Sequence, residues 1–209
     1  MNKNCFFELR NCNFSVEAWN WFTVSSVSDM KFQHEISWSR IYEYPWVLNE
    51  LENEFSAGKD PFVHNCSWGF EDIHLVFKTW IDALFPLSIH SDVRPSTFHK
   101  TYVWDITQRP PDEIVNKFDA VLNISTLEHV PFDHLKILEN HLKQLKRGGI
   151  FLGTFDVPGL QTKKFENLFG LQIPNPNDDR LTPRNSKIPD QILGLPENFN
   201  VCYLKIRRI

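Results

Sequence analysis

The segment Phe118–Val130, FDAVLNISTLEHV, constrains the fold more than any other stretch of this chain. Its apolar run Ala120-Val121-Leu122 gives way to Asn123 and Ser125, and then to the acid–imidazole pair Glu128-His129. A short apolar run without alternation reads as a strand buried on both faces of a parallel sheet. The polar residues after it fall at the strand's carboxyl end, which in open α/β sheets is the ligand-binding edge.

The rest of the chain supplies the strands and helices such a sheet needs. Pro45, with Val47, Leu48, Leu51 and Phe55 on one face, predicts a helix over Tyr42–Phe55 that Ser56–Pro61 ends. Glu43-Tyr44-Pro45-Trp46 either start that helix or touch a ligand from it. Phe62–Asn65 reads as a first strand, Cys66-Ser67-Trp68-Gly69 as a turn, and Glu71–Leu84 as a helix. Ile73, Val76, Phe77, Trp80 and Leu84 are its predicted buried face. Pro86–Ser91 is the second strand, ending at Asp92. Thr101–Trp104 is the third, ending at Asp105-Ile106, and Pro110–Lys117 is a short connecting helix. Beyond the organising strand, Leu135, Leu138, Leu142 and Leu145 predict a helix over Phe132–Arg147, with Lys143, Lys146 and Arg147 at its negative end and Gly148 as its cap. Ile150–Phe155 is a fifth strand ending at Asp156, and Val201–Arg208 a final one. Residues 170–199, rich in Pro, Asn and Asp and carrying Arg180 and Arg184, form a long loop of the kind that is often functional. Residues 1–40 lack periodicity. They are expected to form an extension over a domain of residues 41–209, with Trp19, Trp21, Phe22 and Trp38 as a packing layer or lid.

Composition removes several classes of function. A net charge of −4 gives no electrostatic reason to bind nucleic acid. The four cysteines show neither CxxC nor zinc-ligand spacing. No leader pattern opens the chain, and no window approaches the ~20 apolar residues of a membrane span. The expectation is a soluble, reduced, cytoplasmic protein.

Two sets of residues resemble class I (Rossmann-like) S-adenosylmethionine-dependent methyltransferases. Phe118-Asp119, Val121 and Leu127–Val130 are similar to that family's "FD-x-V" strand and "LEHV" loop. Leu145-Lys146-Arg147-Gly148-Gly149, followed by Ile150–Phe155, is similar to its "LKPGG" turn and fifth strand. The resemblance implies a seven-stranded, mostly parallel sheet flanked by helices, with an antiparallel last strand. It implies S-adenosyl-L-methionine as cofactor and S-adenosyl-L-homocysteine as product. Against the family's acid-x-Gly-x-Gly-x-Gly turn, Asn65 stands at the acid, Ser67, Gly69 and Glu71 at the glycines, so one glycine of three remains. Asn65, Ser67, Trp68 and Gly69 are then expected at the cofactor's amino-acid end. Asp92, 23 residues beyond Gly69, is either the acceptor for ribose hydroxyls or a helix-capping or turn aspartate before Pro95. The resemblance places Asp105 at the adenine amino group, Ile106 on the ring and Asn123 at the fourth strand's tip. Asn65, Asp92, Asp105 and Asn123 should share one rim.

Methyl transfer to oxygen needs a base that takes the acceptor's proton. His129, beside Glu128, is the best-placed imidazole, and Asp156 is the alternative base or an orienting group. The contrary reading is that Glu128-His129-Val130 only pins its loop. Some ribose methyltransferases bind a divalent metal through Glu-x-x-Glu-His; here Ser125 replaces the first acid, and no metal is assigned. YPWVLNELE, HNCSWG and NISTLEHV resemble small methyltransferases of sugar and glycan modification, including those fused to or beside glycosyltransferases of large DNA viruses. That implies a small-molecule or glycan acceptor and a glycosyltransferase as partner. The rival is a methyltransferase-like scaffold without cofactor, suggested by the glycine-poor turn. A nicotinamide enzyme is disfavoured because GxGxxG is absent.

Overall fold

The computed structural model describes residues 5–9, 12–23, 40–55, 60–69, 72–97, 99–157, 161–169 and 200–209. In chain order these form β1 (Cys5–Leu9), β2 (Cys12–Thr23), α1 (Arg40–Glu54), β3 (Val63–Cys66), α2 (Asp72–Leu84), β4 (Ile89–Asp92), β5 (Tyr102–Val103), β6 (Phe118–Ile124), α3 (His134–Leu142), β7 (Leu145–Val157), α4 (Thr162–Phe169) and β8 (Asn200–Arg208). All eight strands join one sheet in the order β1-β2-β8-β7-β6-β3-β4-β5.

The organising strand is β6, as its apolar run predicts. It pairs in parallel with β3 on one side and β7 on the other. Its side chains alternate between two cores. Ala120, Leu122 and Ile124 pack with Val47 and Leu51 of α1 and Phe77 and Ile81 of α2. Val121 faces the opposite layer, with Ile137, Leu138 and Leu142 of α3 and Phe165. Neighbouring β7 alternates likewise, Ile150 and Leu152 against Phe151 and Phe155. Helices on both faces of a sheet require strands that are apolar on both sides, and these are.

From β3 the chain moves outward through β4 to β5, then returns past β3 to β6 and β7. Where the winding direction reverses, the chain leaves β3 toward α2 on one face and β6 toward α3 on the other, which leaves a crevice at their carboxyl ends.

Several boundaries differ from expectation, each for a local reason. Among the described residues the sheet has eight strands rather than seven: six come from residues 63–208, and two more, β1 and β2, pair antiparallel, with β2 zipping onto β8 from Phe14↔Arg208 to Thr23↔Asn200. Helix α1 begins at Arg40, so Pro45 lies inside it and removes one backbone hydrogen bond. The buried positions of α2 include Ile81, while Leu84 is 46% exposed. The Pro110–Lys117 helix is a single 3-10 turn, Asp112–Ile114. Helix α3 starts with Asp133 accepting from the Leu135 N–H, and it stops at Leu142. Leu145 continues the leucine stripe but already pairs with Phe118 as part of β7. Gly148, at φ +82°, therefore shapes an irregularity between Leu145 and Ile150 and caps no helix. The 170–199 loop, Trp38 and Glu71 lie outside the described residues.

Candidate functional site

The crevice at the reversal holds a cavity of about 160 Å³. Asn65 at the end of β3, Ser67, Trp68 and Gly69 in the following turn, and Asp92 at the end of β4 line it. Ile124, Ser125 and Thr126 close it from β6, while Arg40 and Tyr44 of α1 and Phe77 of α2 form its wall.

The turn after β3 is shaped for close approach. Ser67 has φ +56° and Gly69 φ +65°. Ser125, on the facing side, has φ +43°. A left-handed conformation costs a non-glycine residue roughly 1–2 kcal/mol, and such strain concentrates where backbone meets ligand. The Asp92 carboxylate fixes this turn, accepting from the Gly69 N–H at 3.2 Å and the Arg94 N–H at 3.3 Å. Trp68 is tied to β4 by its N–H to the Ser91 carbonyl, and to the residue before β5 by Nε1–H to Thr101 Oγ1 at 3.2 Å.

Helix α1 is docked over the strand ends by a buried contact. Thr154 Oγ1 donates to Glu43 Oε1 at 2.6 Å, and Thr154 itself accepts from the Ser125 N–H through Oγ1 and its carbonyl. Arg40 pairs with the same Glu43, bringing a guanidinium to the cavity wall. Tyr44 stacks on Phe77, ring centroids 4.2 Å apart, and burial pushes its phenol up. Burial outweighs the opposing pull of Arg40.

The four strand-tip residues lie along one edge of neighbouring parallel strands, but they face different ways. Asn65 and Asp92 face the cavity. Asn123 is fully buried; its Oδ1 accepts from the Leu127 N–H at 3.2 Å and its Nδ2 donates to His141 Nε2. Asp105 closes its own turn, accepting from the Thr107 N–H and Oγ1. Ile106 is buried in the α3-side core. None of these three lines the cavity. The strand position of Asp156 is described, its side chain is not.

A second cavity opens on the other side of the Ser125–His129 turn. Glu128, His129, Phe132, His134 and Gln161 line it. The His129 side chain is 66% exposed, with Nε2 4.0 Å from Oε1 of Glu128, whose own side chain is buried. Ser125 Oγ donates to that oxygen at 3.1 Å, so one carboxylate links the two cavities. His134 is locked between the Gln161 N–H, which it accepts, and the Val130 carbonyl, to which it donates. Phe132 is 43% exposed beside them.

Arg40, Phe77, Ser125 and Thr126 are absent from the sequence-predicted site. Phe77 belongs to a stripe indistinguishable from core, and Arg40 precedes the predicted helix. Ser125 carried a signal, since it is one of the polar residues in which the organising strand ends. Among the described residues, no group of three His, Cys, Asp or Glu side chains could hold a metal ion. No described helix is long and apolar enough to cross a membrane.

No family model and no curated protein matches the sequence. Solved structures do match the fold. The [4+2]-cyclase SpnF superposes with a TM-score of 0.52 at 12% identity, over 85% of each chain. A carbon methyltransferase, CurJ, gives 0.49 at 9% identity, over 80% of this chain and 54% of that one. A candidate sarcosine dimethylglycine methyltransferase from Galdieria sulphuraria gives 0.44 at 13% identity, over 59% of this chain and 51% of that one. The chain thus spans about half the length of the last two. It has a Rossmann-like α/β fold, a mostly parallel sheet flanked by helices. A fold shared with a cyclase does not by itself name a reaction.

Proposed function

We propose that this chain is an S-adenosylmethionine-dependent methyltransferase that moves a methyl group to a hydroxyl oxygen of a small polyhydroxylated molecule or glycan. The observation that carries the reading is the pair of cavities on either side of the Ser125–His129 turn, at the carboxyl edge of the sheet where the winding reverses.

The first cavity suits the cofactor's chemistry. Asp92 can accept from ribose hydroxyls through lone pairs its two backbone donors leave over. Arg40 offers a cation for a carboxylate, and Tyr44 and Phe77 offer an apolar wall. Its 160 Å³ is below the about 300–1,000 Å³ of ordinary ligand pockets, so it fits the amino-acid and sugar portions, the remainder lying beyond these walls. When bound, the sulfonium supplies an activated methyl group. The chain's own residues align the acceptor, exclude water and take the acceptor's proton. The His129 imidazole is the proposed base, with the Glu128 carboxylate 4.0 Å from its Nε2. Exposed Phe132 and the planar amide of Gln161 are groups that hold sugars by stacking and hydrogen bonds.

Incubation with methyl-labelled S-adenosylmethionine and panels of glycans and hydroxylated small molecules tests the acceptor class. Labelled product on oxygen is expected. Cofactor binding with transfer only to carbon or nitrogen acceptors would overturn the oxygen assignment. The second reading, a non-catalytic scaffold, draws on the engagement of Asp105 and Asn123 in internal bonds. Calorimetry showing no binding of S-adenosylhomocysteine at millimolar concentration would select it.

A further inference from the structure

Asn65 is buried at the base of the first cavity, 2% exposed. Its Nδ2 lies 3.2 Å from His90 Nδ1, and His90 Nε2 lies 2.8 Å from Asp82 Oδ1. His90 is 4% exposed, and Ser88 Oγ and Lys78 Nζ also donate to the Asp82 carboxylate. The three residues come from β3, β4 and α2, so only the fold assembles this chain.

Its polarity is fixed by what each atom can do. A carboxylate only accepts, so His90 must carry its proton on Nε2. Nδ1 is then a bare acceptor, and the Asn65 amide must turn its NH₂ toward it. The carbonyl oxygen of Asn65 takes no hydrogen bond from any described residue, and it is not among the fully buried unpaired atoms. It is left facing the cavity.

We propose that Asp82 and His90 act as positioning residues that hold the Asn65 amide carbonyl-inward, making this end of the cavity a hydrogen-bond acceptor selective for an ammonium or amino group on the ligand. The inference rests on the proposed cofactor, whose α-amino group is the donor of matching chemistry. It explains how an amide can stand where the resembled family carries an acid. An oriented carbonyl dipole serves an ammonium group as a carboxylate does, without introducing a buried charge. Burial, only partly offset by Asp82, pulls His90 below the ordinary histidine value, which keeps Nδ1 bare at neutral pH.

Two measurements on the full chain test this. First, ¹⁵N-resolved NMR of the ligand-free protein should show His90 in the Nε2–H tautomer with Nδ1 accepting. An Nδ1–H tautomer would overturn the proposal, whatever the cofactor is. Second, calorimetry compares S-adenosylhomocysteine with its analogue lacking the α-amino group. Wild type should prefer the amine-bearing ligand at least tenfold. His90→Phe should lose most of that preference, while His90→Asn, which keeps an acceptor near the Nδ1 position, should retain it. Unchanged preference in a folded His90→Phe protein would overturn the positioning role. Wild type that binds neither ligand yet shows the expected tautomer would remove the cofactor and the ligand selectivity, leaving only the orientation.

Discussion

Asp92 and Gly69, 23 residues apart, are joined by a 3.2 Å hydrogen bond from the Gly69 N–H to the Asp92 carboxylate. The bond draws the turn after β3 against the end of β4, and both residues line the same cavity. Asp92→Ala should therefore act twice. The Gly69 and Arg94 N–H groups lose their acceptor, lowering stability by about 1–3 kcal/mol. S-adenosylhomocysteine should also bind about tenfold or more weakly by calorimetry, since a charged hydrogen bond is worth about 1.5–3 kcal/mol. Equal affinity in the folded variant would remove Asp92 from the site.

The alternation of strands and helices was legible because β6 and β7 carry apolar residues on both faces, and the helices carry stripes. What was not legible depended on partners far along the chain. Leu145 fits the helical stripe of α3, yet its pairing with Phe118 makes it strand. The aromatic-rich stretch before residue 24 gives no period, yet β8 supplies it with a pairing edge. The polar tips Asp105 and Asn123 were visible as residues, but their composition could not say whether they faced a ligand or their own turns. Asn65 and Asp92 look equally ordinary in the sequence. The fold alone gives one the His90 partner and the other the turn.

Gly148 and Gly149 are adjacent, but alanine should affect them differently. A Cβ on Gly148 would meet no atom within 4 Å, so alanine there costs only the strain of its φ of +82°, about 1–2 kcal/mol. A Cβ on Gly149 would meet the carbonyl oxygens of Lys146, Phe118 and Asp119 at 3.0–3.1 Å, all backbone atoms that cannot swing aside. Overpacking of that kind costs about 1–3 kcal/mol or more. Urea denaturation should rank Gly149→Ala as the less stable variant. The reverse order would mean that the β6–β7 crossing has more room than its geometry gives.

Acid should weaken the fold before the carboxylates titrate. His64 is buried between Gln144 Oε1, to which Nδ1 donates, and the Ser91 hydroxyl, from which Nε2 accepts. Burial lowers it from 6.5 to about 3. His141 donates to the Ile137 carbonyl, and burial lowers it to about 4. His90 and His134 are lowered in the same direction. With folded values below unfolded ones, the unfolded chain binds more protons as pH falls through 6.5. Stability is then complete above about pH 6.5 and is lost progressively on acidification. The lowered carboxyls of Glu54, Asp82 and Glu139 act in the same sense only below their ordinary 3.8–4.5. The melting temperature should therefore already fall between about pH 6.5 and about pH 5. His64→Gln should flatten that slope. A wild-type midpoint constant across this window would contradict the buried neutral imidazoles.

His129 differs from the other histidines of this edge in being exposed, beside a buried carboxylate and an open cavity. It lines only the second cavity, so its removal should leave the first intact. His129→Ala is expected to lower kcat by about 10²-fold or more, the usual contribution of a general base. Affinity for S-adenosylhomocysteine should stay within about threefold of wild type, a difference under about 0.7 kcal/mol. Steady-state kinetics with the acceptor found by labelling, together with calorimetry, separates the two effects. A fall in cofactor affinity without loss of turnover would assign His129 to holding the Ser125–Val130 turn. Unchanged kcat would pass the proton to Asp156 at the end of β7, whose exchange for Asn would then abolish transfer.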